Sequence, residues 1–373
     1  MGKKLIVVGG GYGGTEVLRQ LVLRGVRDID IELISNKRHF ENTIGCTEII
    51  SEKVKVEELT YDLKELSNYW NFELTIGNIE SIDLNKKKVR MKNKEKDYDI
   101  LVVSAGSESN FYDVKGAEFA TSTYTLSDFR VMNERLKNLD VDKPNIVIAG
   151  AGLVGLEVVA ETLDLFNNMK KEVEVTVVEK MNSVLPLYNN DLCKEIAFEH
   201  FTSRGVKIIL GKGVKKIEKD KVILEDGSNI EADITFWSAG IKGSKLASNI
   251  VGANLHNGYI DVDEKLLIRG RKDAFAIGDI AFVKIDGQQA QKMAGEALEQ
   301  AKTVAKNIRL IVNNKKPNFK HSIDYTTDFP KALLSIGEGK AILIFGPQIA
   351  SIGYTEYFLK KRIDFDEIMG RFP

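Results

Sequence analysis

The sequence predicts an α/β protein with two Rossmann-like domains and a small C-terminal α+β region. Three observations predict this fold class. A short apolar strand pattern runs into the glycine-rich segment Gly9–Gly14, the same arrangement returns at Gly150–Gly155, and a third apolar run ends in Gly278–Asp279. Each glycine-rich segment lies between a strand pattern and a helix pattern, which is the order that a dinucleotide-binding fold requires. The chain of 373 residues is long enough for two or three domains with cores of their own.

The first module begins with the β-branched run Leu5–Val8, which is typical of a buried parallel strand. Gly9, Gly11 and Gly14 then satisfy the spacing G-x-G-x-x-G, with Tyr12 and Gly13 between them, and residues 15–24 have helical periodicity. The first glycine allows a tight turn, the second allows a pyrophosphate to approach the backbone, and the third allows close packing of helix and strand. The phosphates are expected on the free N–H groups at the start of the helix.

The second strand of this module, residues 29–34, ends at Ser35 and Asn36. An acidic residue is expected here to hold the ribose hydroxyls of a dinucleotide. Ser35 can donate a hydrogen bond to a ribose, or it is merely the end of a strand. The pattern then predicts an irregular stretch over 36–58 and a helix over 60–68. It further predicts small antiparallel strands over 72–76, 79–84 and 86–92, a charged turn over 93–96, and a buried strand over 99–103 that ends in Ser104, Ala105 and Gly106.

The module then repeats 141 residues later in the sequence. A strand over 145–149 leads to Gly150, Gly152 and Gly155, followed by a helix over 156–166. The next strand, residues 173–178, ends in Glu179, so the ribose-binding acid is present here. A hairpin follows, and the strand over 234–237 ends in Ser238, Ala239 and Gly240. Two such modules in tandem predict binding sites for two dinucleotides on one chain.

The last third contains a different signature. A strand over 274–277 ends in Gly278 and Asp279, which places a carboxylate where it can accept hydrogen bonds from ribose or ribityl hydroxyls. Lys292, Met293 and Ala294 then open a helix, and a small β-rich tail follows from residue 318. We therefore predict a discontinuous first domain over 1–117 and 256–317, a second domain over 118–255, and a C-terminal region over 318–373.

The composition is that of an ordinary globular protein and narrows the classes of partner. Hydrophobic residues make up 43% and charged residues 29%, and a net charge of −1 excludes the basic excess that a nucleic-acid partner requires. The two cysteines, Cys46 and Cys193, fit a reducing cytoplasm. The four scattered histidines lack metal-ligand spacing, so no metal site is predicted. No apolar stretch reaches the roughly 20 residues that span a membrane, so no transmembrane segment is expected.

These motifs, in this order, resemble the two-dinucleotide-binding-domain flavoproteins of the pyridine nucleotide–disulfide oxidoreductase superfamily. Within it the chain most resembles the type II NADH:quinone oxidoreductases and, more loosely, the sulfide:quinone oxidoreductases. The resemblance implies FAD at the first glycine turn and NADH at the second, with a quinone as electron acceptor. It also implies a cytoplasmic protein attached peripherally to the membrane by its C-terminal part. The implied FAD-binding residues are Gly9, Gly11, Tyr12, Gly13, Gly14, Ser35, Asn36, Ser104, Ala105, Gly106, Gly278, Asp279, Met293 and Ala294, and the implied NADH-binding residues are Gly150, Gly152, Gly155, Glu179 and Gly240.

The candidate catalytic residues are Glu157, Lys292 and Cys46, and the resemblance assigns Glu179 to coenzyme binding. Glu157 would lie near the nicotinamide or the flavin, although it could equally be a carboxylate on a helix surface. Lys292 would stabilise negative charge at the flavin N1–C2 edge, or be a solvated residue at a helix start. Glu179 would repel a 2′-phosphate and so favour NADH over NADPH, a preference that the neighbouring Lys180 weakens.

The number and position of cysteines, Cys46 above all, distinguish the branches of the superfamily. The dithiol of the disulfide reductases is absent because residue 51 is Ser51. A single redox thiol at Cys46 would make the chain a disulfide or peroxide reductase, whereas a free cysteine is more commonly a small buried residue. Sulfide:quinone oxidoreductases need cysteines at places where this chain has Leu153–Val154 and none near Lys292. A reductase of a soluble electron carrier is a third alternative.

The C-terminal tail carries an apolar stripe at helical spacing, beside the basic run Lys360–Arg362. Such a stripe can contact a membrane surface, pack on the protein's own core, or pair with a second subunit in a homodimer. Its members are Tyr354, Tyr357, Phe358, Phe365, Ile368, Met369 and Phe372.

Overall fold

Two five-stranded parallel sheets and one three-stranded antiparallel sheet form the framework of the computed structural model, which describes residues 2–373 apart from the side chains of residues 366–368. The predicted α/β class with a C-terminal α+β region is therefore confirmed. The strands of these sheets are β1 (Lys3–Val8), β2 (Ile29–Ser35), β3 (Glu73–Ile76), β4 (Ile100–Val103), β5 (Ala120–Ser122), β6 (Asn145–Ala149), β7 (Glu174–Val178), β8 (Lys207–Ile209), β9 (Ile234–Trp237), β10 (Ala274–Ala276), β11 (Lys331–Gly337), β12 (Lys340–Phe345) and β13 (Ile349–Gly353).

Helices follow the central strands of the parallel sheets and pack on them, on one another and on the C-terminal sheet. Helix α1 follows β1 directly and packs against α6, while α4 follows β6 and packs against β11 of the C-terminal sheet. The helices are α1 (Tyr12–Leu23), α2 (Leu63–Trp70), α3 (Leu126–Lys137), α4 (Leu153–Met169), α5 (Asp191–Ser203), α6 (Ala294–Val312) and α7 (Tyr354–Arg362). Among the described residues, none of these helices combines the length and the apolar character that crossing a bilayer demands.

Four strands of each parallel sheet have the same arrangement. The first sheet has the strand order β10-β4-β1-β2-β3 and the second the order β5-β9-β6-β7-β8, so that the outermost strand comes last in the chain in the first sheet and first in the second. In each, the strand before the glycine turn (β1 or β6) is central, because its residues 5–8 or 146–149 are apolar and can be buried on both faces. The strand that ends in Ser-Ala-Gly lies on one side of it, and the strand that ends at the ribose position lies on the other. The internal repeat is therefore a repeat of structure as well as of sequence.

Smaller strands complete the fold. They are His39–Glu41 with Thr60–Asp62; Ile79–Asp83, Lys88–Met91 and Lys94–Asp97 with Ile250–Val251; Ser107–Ser109 with Ile241–Gly243; Val214–Ile217, Lys221–Leu224 and Asn229–Glu231; Leu255–His256, Tyr259–Asp261 and Ala281–Phe282; and Lys284–Ile285 with Gln288–Gln289. The pair Ser107–Ser109 and Ile241–Gly243 is antiparallel and joins the two halves of the molecule just after each Ser-Ala-Gly turn.

Four sequence predictions of local structure were wrong. Residues 73–76 pair parallel with β2 rather than antiparallel, since strand direction depends on distant partners. Lys94–Asp97 is a strand rather than a turn, and its charges suit an exposed sheet edge. The helix predicted over 60–68 starts only at Leu63, because Asp62 accepts a hydrogen bond from Lys64 N and ends the preceding strand. The antiparallel strand β13 was not foreseen.

The C-terminal segment returns to the first sheet's half of the molecule. After α7 the chain continues as helical turns over Ile363–Ile368 and Met369–Arg371. The ring of Phe372 then lies 4.8 Å from the rings of both Phe40 and Tyr61, and Arg371 forms an ion pair with the buried Glu16 of α1. The apolar stripe is therefore divided: Phe372 packs inward, whereas Tyr354 and Phe358 are 66% and 73% exposed. Ile368, also predicted on the stripe, lies outside the described side chains.

Candidate functional site

The first glycine turn is built by close approach of two backbone segments at the carboxyl edge of the first sheet. Gly9 has a φ of +103°, a conformation that other residues rarely adopt, and a Cβ there would collide with Ser104 O. A Cβ on Gly14 would collide with Gly9 O, whereas a Cβ on Gly11 would meet nothing within 4 Å. The first and third glycines are thus required by packing, and the second leaves an open space in front of the helix.

The second glycine turn has the same geometry. Gly150 has a φ of +105°, and a Cβ there would lie 2.6 Å from Ser238 O. A Cβ on Gly155 would collide with Gly150 O, and the space beside Gly152 is again open. Helices α1 and α4 each begin directly after the open glycine, which offers no side chain to cap the first turn. The exposed N–H groups and the positive helix end therefore suit a pyrophosphate at both turns.

Three segments predicted for the first site meet at one edge. Ser104 Oγ donates a hydrogen bond of 2.8 Å to Val8 O, just before the glycine turn. Residues 104–107, including Ala105 and Gly106, reach Asp279, whose Oδ2 accepts a 2.9 Å hydrogen bond from Ser107 Oγ and a 3.4 Å bond from Tyr124 OH. A Cβ on Gly13 would lie 3.0 Å from Ile277, the residue before Gly278. The carboxylate of Asp279 is therefore held in place at this edge.

The start of α6 lies close to Asp279. Lys292 Nζ lies 4.4 Å from the centre of the Tyr259 ring and donates a hydrogen bond to Ala281 O. Burial lowers the pKa of Lys292 to about 8, against the opposing effect of the Asp279 charge. Met293 caps the helix that begins at Ala294, and its sulfur lies 3.9 Å from Tyr188 OH. Lys292 is therefore a half-buried cation, held by Tyr259 and Ala281, rather than a solvated one.

The ribose positions of the two turns differ. Ser35 is buried, and its Oγ donates a 2.8 Å hydrogen bond to Lys37 O, while Asn36 is exposed. Glu179 is also buried, and its carboxylate accepts 2.8 Å hydrogen bonds from the backbone N–H groups of Ala151 and Met181. Ala151 lies inside the second glycine turn, so the acid is fixed beside it. Gly240, opposite this turn, has a φ of +147°, and a Cβ there would collide with Tyr112 OH.

Glu157 lies apart from the glycine turns, in a buried group of charges between α4, the C-terminal sheet and α7. It is 3% exposed, and its carboxylate accepts hydrogen bonds of 3.2 Å from Ser335 N and 3.4 Å from Thr47 Oγ1. Its Oε1 lies 3.5 Å from Nζ of Lys360. Burial raises the pKa of Glu157 to about 7, although the Lys360 charge opposes the rise. A carboxyl group with such a pKa can both hold and release a proton near neutral pH.

Lys360 belongs to the basic run beside the apolar stripe, and of the alternatives left open for that segment the structure shows packing inside the protein for this residue. Lys360 is 2% exposed, and its Nζ lies 2.9 Å from Asp364 Oδ2 as well as near Glu157. Burial would lower the pKa of Lys360, but Glu157 and Asp364 outweigh it and raise the pKa. Lys361 likewise pairs with the buried Glu48. Two of the three basic residues therefore neutralise internal carboxylates.

A hydrogen-bonded chain links this charged group to the first glycine turn. Tyr12 OH donates a 2.8 Å hydrogen bond to Asn42 Oδ1, and Asn42 Nδ2 donates a 2.9 Å bond to Asp364 O. The Asp364 carboxylate is in turn paired with Lys360. Sequence reasoning missed Asn42, Lys360 and Asp364. The i, i+4 spacing of Lys360 and Asp364 was visible, but nothing local indicated that the pair is buried.

Cys46 lies within the same buried region but has no open access. Its side chain is 0% exposed, and its Sγ donates a 3.2 Å hydrogen bond to Asn42 O. Burial raises the pKa of the Cys46 thiol well above its usual range. Cys193 is also buried, and burial raises its pKa to about 11. Neither thiol has the lowered pKa that marks a reactive cysteine.

Comparison with known proteins agrees with this geometry. The model of the pyridine nucleotide-disulphide oxidoreductase family matches residues 3–303. The type II NADH:quinone oxidoreductases of Staphylococcus haemolyticus and Staphylococcus aureus are each 26% identical to this chain over 388 aligned residues, covering 97% of this chain and 94% of theirs.

Two solved structures have the same fold along almost the whole chain. The sulfide:quinone oxidoreductase of Aquifex aeolicus superposes with a TM-score of 0.84 at 21% identity, covering 99% of this chain and 91% of that one. NDH2 of Plasmodium falciparum in complex with NADH superposes with a TM-score of 0.83 at 16% identity, covering 100% and 99%. At these identities the likeness concerns the fold alone.

Proposed function

The chain belongs to the pyridine nucleotide-disulphide oxidoreductase family, and from this premise we propose that it is a flavin-dependent NADH dehydrogenase that passes electrons to a quinone. The observation that carries the proposal is the pair of glycine turns with matching geometry, each with an open second glycine at the start of a helix. One turn suits FAD and the other suits NADH. Bound FAD would accept a hydride from NADH and then pass two electrons on to an acceptor.

In this proposal residues 1–117 and 256–317 form the FAD-binding domain, 118–255 the NADH-binding domain, and 318–373 the region that covers the acceptor site. The first glycine turn would hold the FAD pyrophosphate, and Asp279 would accept hydrogen bonds from ribityl hydroxyls. Lys292 would place a positive charge near the flavin. Its partial burial supports this role, because a cation that is partly removed from water stabilises developing negative charge more strongly than a solvated one.

Glu157 is the proposed proton donor to the quinone. Reduction of a quinone to a hydroquinone takes up two electrons and two protons, whereas NADH supplies two electrons and one proton as hydride. The second proton must come from water by way of the protein. A Glu157 pKa of about 7 supports this role, and so does its contact with Lys360, which can hold the carboxylate after the proton has left.

Glu179 supports NADH as the hydride donor. A carboxylate at the end of β7 accepts hydrogen bonds from the ribose hydroxyls and repels a 2′-phosphate. Its hydrogen bonds to Ala151 and Met181 fix it beside the turn. NADPH is therefore the poorer substrate in this proposal.

The proposal includes a peripheral contact with the cytoplasmic face of a membrane. The exposed rings of Tyr354 and Phe358 favour it, because they could insert at an interface. The pairing of Lys360 and Lys361 with internal carboxylates removes two charges that would attract anionic lipids. The same exposed face could instead pair two subunits in a homodimer.

The thiol-reductase alternative has little structural support, because Cys46 is enclosed and the pKa of its thiol is raised. The same two buried cysteines argue against sulfide oxidation. A soluble electron carrier as acceptor is the second candidate function, favoured by the pairing of Lys360 and Lys361 with internal carboxylates, which removes charges that would attract a membrane surface.

An anaerobic stopped-flow experiment tests the proposal. Protein loaded with FAD is mixed with NADH, and loss of flavin absorbance is followed; a short-chain quinone is then added. We expect fast bleaching and fast reoxidation, with Cys46→Ala equal to wild type. Slow reoxidation by quinone, with disulfide or peroxide reduction lost in Cys46→Ala, would move the chain to the thiol branch. No bleaching by NADH or NADPH would refute the second dinucleotide site.

A further inference from the structure

Two lysines, Lys180 and Lys212, lie beside Glu179, the proposed ribose-binding acid of the second glycine turn. Both lysines form ion pairs with the turn of a neighbouring hairpin. Lys180 Nζ lies 2.8 Å from Glu225 Oε1, and Lys212 Nζ lies 2.5 Å from Asp226 Oδ2. Glu225 and Asp226 begin the connection between the strands Lys221–Leu224 and Asn229–Glu231. We refer to this pair of acids as the acidic turn.

Backbone hydrogen bonds place both lysines beside Glu179. Lys212 N donates a 3.1 Å hydrogen bond to Glu179 O, and Gly211 N donates a 2.9 Å bond to Met181 O, so the segments 179–181 and 211–212 run side by side. Glu225 N donates a 2.9 Å bond to Gly213 O, which brings the acidic turn against the same segment. The ribose acid, the lysines and the acidic turn therefore form one connected group.

Gly213 leaves room for the side chain of Glu225. A Cβ on Gly213 would lie 2.7 Å from the carboxyl carbon of Glu225, so any larger residue would displace the carboxylate. The carboxylate crosses over this glycine toward Lys180. The absence of a side chain at Gly213 thus leaves the room that the Glu225 carboxylate occupies beside Lys180.

We infer that the acidic turn sets the coenzyme preference, because Glu225 and Asp226 withhold Lys180 and Lys212 from a 2′-phosphate. The inference rests on the proposed function, since it assumes that the second turn binds NAD(P)H. Glu179, the two lysines and the two acids together carry a formal charge of −1. Without the two acids the same group carries +1, which attracts a phosphate instead of repelling it. Lys180, which on its own favours NADPH, is thereby made compatible with NADH.

The variant E225Q/D226N tests the inference. Exposed ion pairs contribute little to stability, so the variant is expected to fold like the wild type. We expect kcat/KM for NADPH to rise about tenfold, and that for NADH to change less than about twofold, since only the phosphate senses the altered charge. Adenosine 2′,5′-bisphosphate binding, measured by calorimetry against AMP, should gain the same factor. High salt should reduce the gain.

Two controls isolate the acidic turn. E218Q removes an acid that pairs with Lys216 and Lys221 in the turn at the other end of the strand Lys221–Leu224, and it should leave the NADPH to NADH ratio unchanged. Adding Lys180→Ala to E225Q/D226N should cancel much of the gain in NADPH use. A ratio in E225Q/D226N within twofold of wild type overturns the inference, and so does an equal rise in E218Q.

Failure of the proposed function gives a different result. If AMP fails to bind any variant and NADH bleaches none of them, the second dinucleotide site itself is refuted. If AMP binds and NADH is oxidised but the preference for NADH is unaltered in E225Q/D226N, only the role of the acidic turn is refuted.

Discussion

Glu157 Oε1 lies 3.5 Å from Lys360 Nζ although the two residues are far apart in the sequence, one in α4 and the other in α7. Both side chains are only 3% exposed, and Asp364 pairs with the other side of the lysine. An arrangement of two carboxylates around one ammonium leaves a net negative charge inside the protein. Uptake of one proton by Glu157 neutralises it, which links this group to proton transfer and to stability.

Glu157→Gln should separate the two half-reactions. Glutamine fills the same space but cannot release a proton, so we expect quinone turnover to fall about 100-fold, the range of a lost general acid. Flavin bleaching by NADH should stay as in wild type. Glu174→Gln, at an exposed ion pair on β7, is the matched control and should change neither step. Quinone turnover in Glu157→Gln close to that of wild type would exclude Glu157 as the donor.

The pH profile should report the same residue. Burial raises the pKa of Glu157 to about 7, so the protonated form is lost above that pH and quinone turnover should fall as the pH rises through 7. Glu157→Gln should lack this step. Because the folded pKa lies above that of the unfolded chain, the contribution of Glu157 to folding stability is present at low pH and lost as the pH rises toward 7. If the step in quinone turnover near pH 7 is unchanged in Glu157→Gln, the step belongs to another titratable group.

Lys360→Met should strongly destabilise the fold. Removing the ammonium leaves Glu157 and Asp364 buried without their cation, a change that typically costs about 3–5 kcal/mol of unfolding free energy. Lys143→Met is the matched control, since Lys143 is 48% exposed and pairs with two carboxylates that are themselves exposed, those of Glu172 and Glu174. Denaturant unfolding at pH 8 measures both. Equal losses in the two variants would show that burial of Lys360 is not what matters, and adding Glu157→Gln to Lys360→Met should restore part of the loss.

Phe372→Ala should loosen the C-terminal segment. The ring packs against Phe40 and Tyr61, so its removal should lower the unfolding free energy by about 2–3 kcal/mol. Phe358→Ala, at a ring that is 73% exposed, should stay within about 0.5 kcal/mol of wild type. Thermal or denaturant unfolding of both variants checks this, and a larger effect of Phe358→Ala would contradict the inward packing of the segment.

The Cys46 thiol should be inert in the folded protein. Burial raises its pKa and closes off its sulfur, so a thiol reagent should modify it only after unfolding. The rate of modification with and without denaturant measures this. Rapid labelling of native protein at Cys46, identified by mass spectrometry and absent in Cys46→Ala, would restore the case for a redox thiol.

The sequence was informative wherever the structural cause is local. Strand, glycine turn and helix follow from apolar periodicity and glycine spacing, and both modules fold as predicted, from Leu5 to Gly14 and from Ile146 to Gly155. Structural features that depend on partners distant in the sequence could not be predicted. The direction of β3 is set by β2, and the burial of Lys360 is set by Glu157 on another helix. A basic run looks the same in sequence whether its partners are lipids or internal carboxylates.

The order of β10 in the first sheet has a consequence for synthesis of the protein. This strand lies beside β4 and is followed by α6, which packs on α1, yet it leaves the ribosome only after the whole of the second sheet. During synthesis one edge of β4 therefore stays uncovered until β10 has been made. The strands β5 to β9 of the second sheet form a contiguous stretch, so that sheet can assemble earlier. Domains that are continuous in sequence fold during translation more readily than interrupted ones. The sheet whose first strand is synthesised first is therefore the parallel sheet that receives its last strand later.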